Sequence, residues 1–329
     1  MNSCTHLSSR LSKLAVASTR RFSMERLTAK DLEIVKNPSD EQINAFQQMV
    51  GGFNDIKLLK ETMKDRYRLF LLCLKDSNKV VSGTHSITFK SLHGSDDFQH
   101  FGLSFQPDNC YDLLPHLMHE MCQELGAVNM NSGGCVDSKN AAVWRKVLHT
   151  KVRGPTYYVS HYKADEVFNP DLEFDDVIVK KFAEVPVEHV VNYDNSIFPY
   201  ERKEFLLAKF KGGVGRVAYD KSGNVIGIGL VSTDGSSGNC DIGPMYCDSR
   251  NTAQAIFQNI LRELPLKDLN EIRIRCSDKF EDSATWVRPF LRRRHEMTPF
   301  AHIKFNRVIP AGLNLSKVFV NSNPSSAPC

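Results

Sequence analysis

Residues 240–264 read CDIGPMYCDSRNTAQAIFQNILREL, and the chemistry they suggest is anion binding. A strand ends near Cys247, a polar turn follows, and a helix opens at about Asn251. Backbone N–H groups at a helix N-terminus favour phosphate, and Arg250 adds a cation there. Ser249 and Asn251 can both cap the helix, and Ala253 is a small residue on its first turn. Two features oppose this reading. Asp248 repels phosphate unless it faces away, and the turn lacks glycine, the residue that lets backbone approach a ligand most closely. A well-capped helix with nothing bound accounts for the same residues. Upstream, Pro244 cannot donate to a sheet ladder, so it marks an edge strand or a bulge. The nine cysteines form no C-x-x-C pair and no Cys/His group at zinc spacing, which points to a reducing compartment and no metal.

The elements that must carry this turn come in two similar sets. In the second half, DDVIVKKFA alternates as a strand, and PVEHVVNYDNSIFPYERKEFLLAKF reads as helices broken near Phe198-Pro199. A hairpin turns at Ser222-Gly223-Asn224, then come the Asp241–Cys247 strand, its helix, the strand EIRIRCS, the helix EDSATWVRPFLRRR and the strand FAHIKFNRV. The first half repeats this order from LEIVKNPS to TYYVSHYK. Three local correspondences support an internal repeat: Gly83 with Gly227, Gly102 with Gly243, and Trp144 with Trp286. The first-half counterpart of the polar turn, Gln106-Pro107-Asp108-Asn109-Cys110, has no cation, and its proline removes an amide donor. The expected architecture is α/β with a mixed central sheet, in the order β-α-α-β-β-β-α-β-α-β in each half. The expected divisions are a leader (1–24), a first domain (25–163), a linker (164–174), a second domain (175–310) and a tail (311–329) that reads as disordered from Val320.

Composition narrows the function. The net charge of +4 resides in a leader with Arg10, Lys13, Arg20 and Arg21 and no acid; the body is formally neutral. A neutral body argues against nucleic acid as a partner, and no apolar run reaches the ~20 residues that span a bilayer. The basic, Ser/Thr-rich leader has the composition of a mitochondrial transit peptide, so a matrix location is expected, with the cytoplasm the alternative. Arg292-Arg293-Arg294 is expected to end a helix.

The element order resembles that of the GNAT acyltransferase superfamily. The motifs YDNSIFPYER, VIGIG and IGPMYCDS more particularly resemble the YitH-type GNAT domain over residues 175–310, preceded by a degenerate GNAT-like half as in nematode-type tandem proteins. The resemblance implies an N-acyltransferase that uses acetyl-CoA or another acyl-CoA and acts on a small amine or amino-acid-like acceptor. It places Ile242, Gly243, Met245 and Tyr246 along the pantetheine and Cys247, Asp248, Ser249, Arg250, Asn251, Thr252 and Ala253 around the pyrophosphate. It places Tyr193, Asp194, Phe198, Tyr200, Glu201 and Arg202 on the acceptor side. Asp194, Tyr246 and His302 are the candidate catalytic groups. Asp194 either holds an ammonium and relays its proton or caps a helix. Glu201 and Arg202 are either an acceptor pair or an exposed ion pair. His302 is either a substitute acid or a structural histidine, since the superfamily's usual thiolate-protonating tyrosine has no counterpart where Phe280, Ser283 and Trp286 stand. Cys247 is either an acyl carrier or a small buried hydrophobe. A non-catalytic acyl-CoA-binding scaffold is the alternative to an enzyme.

Overall fold

The computed structural model describes residues 27–28, 30–50, 55–94, 96–105, 113–136, 145–234, 238–278, 285–293, 297–321, 323–324 and 326–327. The leader, Gln106–Cys110, Trp144, Phe280, Ser283 and Arg294 lie outside the described residues.

The first half runs β1 (Leu32–Val35), α1 (Asp40–Val50), α2 (Ile56–Met63), β2 (Tyr67–Leu74), β3 (Val80–Phe89), β4 (Phe98–Phe105), α3 (Leu114–Glu124), β5 (Asn131–Val136) and β6 (Val152–Lys163). The second half repeats it with β7 (Ile178–Lys181), α4 (Val187–Ile197), α5 (Lys203–Gly212), β8 (Val214–Tyr219), β9 (Val225–Asp234), β10 (Asn239–Cys247), α6 (Arg250–Leu261), β11 (Glu271–Ser277) and β12 (Thr298–Phe305), and then adds β13 (Val318–Val320). Among the described residues the expected order is present, with one correction; the Trp144 helix of the first half falls mostly outside them. The described part of EDSATWVRPFLRRR is a turn and a 3₁₀ segment, Arg288–Phe290, containing Pro289, so Arg292 does not end an α-helix.

The thirteen strands of the described residues share one sheet, in the order β1-β2-β3-β4-β5-β12-β6-β11-β10-β9-β8-β7, with β13 paired to β10. The halves therefore exchange their closing strands: β12 of the second half pairs with β5, and β6 of the first pairs with β11. Phe305 of β12, fully buried, pins the exchange. Its ring covers Gly133 of β5 and Gly154 of β6, where an added Cβ would come within 2.5 Å of it in each case.

Alternating side chains divide the interior. Leu69 and Leu71 of β2 enter a core shared by α1, α2, α4 and α5, whereas Phe70 and Leu72 face the core under α3. Likewise Ile228 and Leu230 of β9 enter the shared core, and Val231 enters the core under α6. The shared core fastens the halves together, helped by Lys209 Nζ on Asp55 at 3.0 Å with both side chains largely buried.

Candidate functional site

The site forms where β10 leaves β11. Residues Asn239–Ile242 pair in parallel with Glu271–Ile274, and there the ladder stops. Gly243 has φ +125°, a conformation open mainly to glycine. The Gly243-Pro244 peptide is cis, and Pro244 has no N–H to offer a neighbouring strand. On the other edge, Ile242 pairs with Val231 and Met245 with Gly229, so Gly243 and Pro244 bulge opposite one residue of β9. The bulge expected from Pro244 is present, in a central strand.

The gap between β10 and β11 is occupied by the chain itself. β13 pairs antiparallel with β10, Met245 opposite Val320 and Tyr246 opposite Val318. Met245 and Tyr246 already pair with β9 on one edge, so β13 takes the edge that β11 has left. Asn321 N–H then donates to the Arg275 carbonyl of β11 at 2.9 Å. Val318, Phe319 and Val320 are each 1% exposed or less, and the Phe319 ring meets Trp286 edge-on at 6.3 Å. Farther on, His100 Nε2 donates to the Pro324 carbonyl at 2.9 Å and Ser326 Oγ to Asp55 at 2.8 Å. The tail expected to be disordered from Val320 is thus ordered over its described residues. Burying each apolar side chain of β13 contributes roughly 2 kcal/mol, while fixing each residue's backbone costs roughly 1–2 kcal/mol. The two nearly cancel, so the seat of this strand depends on its pairing with β10 and on the bonds at Asn321, Pro324 and Ser326.

Beyond β10 lies the polar turn. Ser249 caps α6, its Oγ accepting from Thr252 N–H at 3.2 Å, and the helical ladder begins with Ala253 N–H to the Ser249 carbonyl. Asp248, Ser249, Arg250 and Asn251 are exposed, whereas Thr252 and Ala253 are buried. Asp248 does not face away unpartnered. It accepts from the Tyr193 hydroxyl at 2.6 Å and pairs with Lys317, the residue before β13, at 2.8 Å. Arg250 reaches Thr285 Oγ1 at 3.0 Å. Burial, and then the carboxylate of Asp248, raise the Tyr193 hydroxyl far above the usual phenol range. Burial likewise pushes the Cys247 thiol well up, with the charge of Asp248 adding to it, and the side chain is buried in the core under α6.

The other expected residues divide sharply. Ile242, Gly243, Met245, Tyr246 and Cys247 line β10 and are buried. Asp194 is not a helix cap. It lies within α4, 1% exposed, and accepts from Arg202 Nε at 2.9 Å and Nη2 at 2.7 Å. Arg202, 4% exposed, also donates to the Tyr246 hydroxyl at 3.2 Å and stacks 4.2 Å over Phe198. The pair Glu201–Arg202 is not one pair: Arg202 is buried with Asp194, and exposed Glu201 accepts from Arg66 of the first half at 3.2 Å. Phe198 and Tyr200 pack against Phe89 and Phe98, joining the two halves. His302 sits on β12, separated from β10 by β6 and β11. At about 4.8 Å per strand this is roughly 14 Å, because the strand exchange carries β12 past β6. Its imidazole stands by Thr156, and burial, with Arg153 and Lys304 nearby, lowers its pKa. The structure therefore gathers Tyr193, Asp194, Arg202, Tyr246 and the turn, and leaves His302 outside. The functional element the sequence reading missed is β13, whose only signal is Val318-Phe319-Val320 in an otherwise polar tail. Among the described residues no group of His, Cys, Asp and Glu could hold a metal ion, and no helix is long and apolar enough to cross a membrane.

Two family models match the chain. One, described as "Protein of unknown function (DUF1248)", matches residues 29–197, and one described as "Acetyltransferase (GNAT) domain" matches residues 190–289. Among solved structures, a putative acetyltransferase from Pyrococcus horikoshii is 15% identical, with a TM-score of 0.65 over 92% of this chain and 98% of that one. A tandem GNAT protein from the clavulanic acid biosynthesis pathway is 12% identical, with a TM-score of 0.55 over 83% of this chain and 97% of that one. A Drosophila protein is 12% identical, with a TM-score of 0.52 over 83% and 98%. No curated protein matches. At these identities the likeness is one of fold: mixed α/β with one large sheet, in a tandem GNAT-like arrangement.

Proposed function

The chain belongs to the DUF1248 family and is a tandem protein of the GNAT superfamily, its second half carrying the GNAT domain, and from that premise we propose that it is an acyl-CoA-dependent N-acyltransferase of a small amine. The observation that carries this reading is the bulged departure of β10 from β11 directly before the N-terminus of α6. An extended pantetheine arm can pair with the backbone of Met245 and Tyr246 as an added strand does. The pyrophosphate then falls at Ser249–Ala253, where helix N–H groups and Arg250 meet it.

In the reaction the amine nitrogen attacks the acyl carbonyl carbon, the C–S bond breaks, the amine loses a proton and the departing thiolate gains one. Of the three candidate catalytic groups, Tyr246 is the one on β10 itself, and it is assigned to the thiolate. Asp194 is assigned a positioning role, holding Arg202 against Tyr246. Acetyl-CoA is the default donor. The matrix location expected from the leader and the residue-level division of the domains are carried forward as part of this proposal.

Filling of the gap by β13 favours one other reading, a non-catalytic protein of GNAT fold. Thiol release across a panel of amines, alongside calorimetry with acetyl-CoA, separates the two. The enzyme reading expects binding and turnover with at least one amine. Absence of binding at millimolar ligand, both in the full chain and in a variant with a loosened tail strand, Phe319→Ala, overturns it.

A further inference from the structure

The β10–β11 gap already holds a ligand: an extended peptide segment from the same chain. Its fit has four parts. Val320 and Val318 meet Met245 and Tyr246 in antiparallel register. The Asn321 N–H closes onto β11 at Arg275. Phe319 enters the core beside Trp286. Lys317 places its ammonium on Asp248, the acid of the polar turn. The last contact bears on the anion question. A carboxylate at a phosphate-binding turn is unfavourable by itself, and here it is the anchor for the lysine that immediately precedes the tail strand.

We infer that this groove is a peptide-strand socket for residues 317–321, and that the tail strand and an acyl-CoA arm occupy it in alternation. The inference rests on the donor-groove reading above. A single strand edge forms one set of hydrogen bonds, so the backbone of Met245 and Tyr246 cannot serve both ligands at once. The tail strand is short, and its contacts along β10 end after Val320. A donor that brings a pyrophosphate to α6 as well as an arm to β10 therefore has a second point of purchase from which to displace it. The tail acts as an internal competitor of the donor.

Amide hydrogen exchange on the full chain tests this without any alteration. Amides 318–321 are protected alone and lose protection when saturating acetyl-CoA is added. In parallel, Phe319→Ala, which weakens the seat of the strand and leaves β10 and the turn intact, binds acetyl-CoA at least tenfold more tightly than the full chain by calorimetry. A synthetic peptide of residues 313–327 weakens that binding in proportion to its concentration. Acetyl-CoA binding with unchanged protection at 318–321, or with equal affinity in the two chains, overturns the socket's exclusivity and leaves the donor groove standing. No binding in either chain overturns both, and assigns the groove to the tail alone.

Discussion

The two halves make the same break in the same place and use it differently. In the first half, β4 pairs in parallel with β5 over Phe98–Phe101, and Gly102 follows. In the second, β10 pairs with β11 over Asn239–Ile242, and Gly243 follows. The bulges match residue for residue. Gly102 and Leu103 stand opposite His85, between the pairs Ser86–Phe101 and Thr84–Ser104. Gly243 and Pro244 stand opposite Leu230, between Val231–Ile242 and Gly229–Met245. The splayed strand is thus a property of the fold, not of proline. What the second half adds is proline at the bulge, the Ser249 cap with a cation beside it, and β13 along the open edge. The repeat supplies the opening, and the residues placed around it decide whether it holds anything.

This alignment also corrects the repeat. Gly83 pairs with Phe105 as Ile228 pairs with Tyr246, so the counterpart of Gly83 is Ile228, not Gly227. The two glycines face opposite cores. A Cβ on Gly83 would lie 2.6 Å from Leu71 and 2.7 Å from Phe46 of α1, and one on Gly227 would lie 2.7 Å from Thr252 of α6.

The largest effect that sharpens the contrast is expected at the buried pair of the second half. Asp194→Asn leaves Arg202 buried without its counter-charge, and removing one partner of such a pair costs about 3–5 kcal/mol. Urea unfolding should show the loss; a change near zero would mean that the pair is not what holds α4 to β10. Next come the glycines. Gly83→Ala and Gly227→Ala should each cost roughly 1–3 kcal/mol by overpacking. Only Gly227→Ala, which presses on the first turn of α6, should also weaken acetyl-CoA binding. Equal effects on binding would remove the functional difference between the halves. The smallest is Ser249→Ala, worth about 1 kcal/mol as a lost cap, read from the same unfolding curves.

Much of this was legible in the sequence, for local reasons. The alternation of EIRIRCS is β11 (Glu271–Ser277) residue for residue, and the break at Phe198-Pro199 separates α4 from α5. Other features depend on partners distant in the chain. β5, with the sequence NSGGCV, has little strand character of its own, because Gly133 is required by the ring of Phe305 packed on it. The strand exchange was hidden because TYYVSHYK and FAHIKFNRV each read as closing strands, and alternation does not say which sheet they close. Asp194 looked available because its partner, Arg202, is brought beneath it only after the chain turns at Phe198-Pro199. β13 was hidden because three residues carry no period.

The central claim is that the second half's gap, and not the first's, is a donor groove shared with the tail. Crystals of the full chain or of Phe319→Ala grown with acetyl-CoA test it most directly. The account predicts pantetheine along Met245 and Tyr246, pyrophosphate at Ser249–Ala253, and residues 317–321 displaced. Acetyl-CoA bound with β13 still paired to β10, or bound in the first half's gap between β4 and β5, would contradict it.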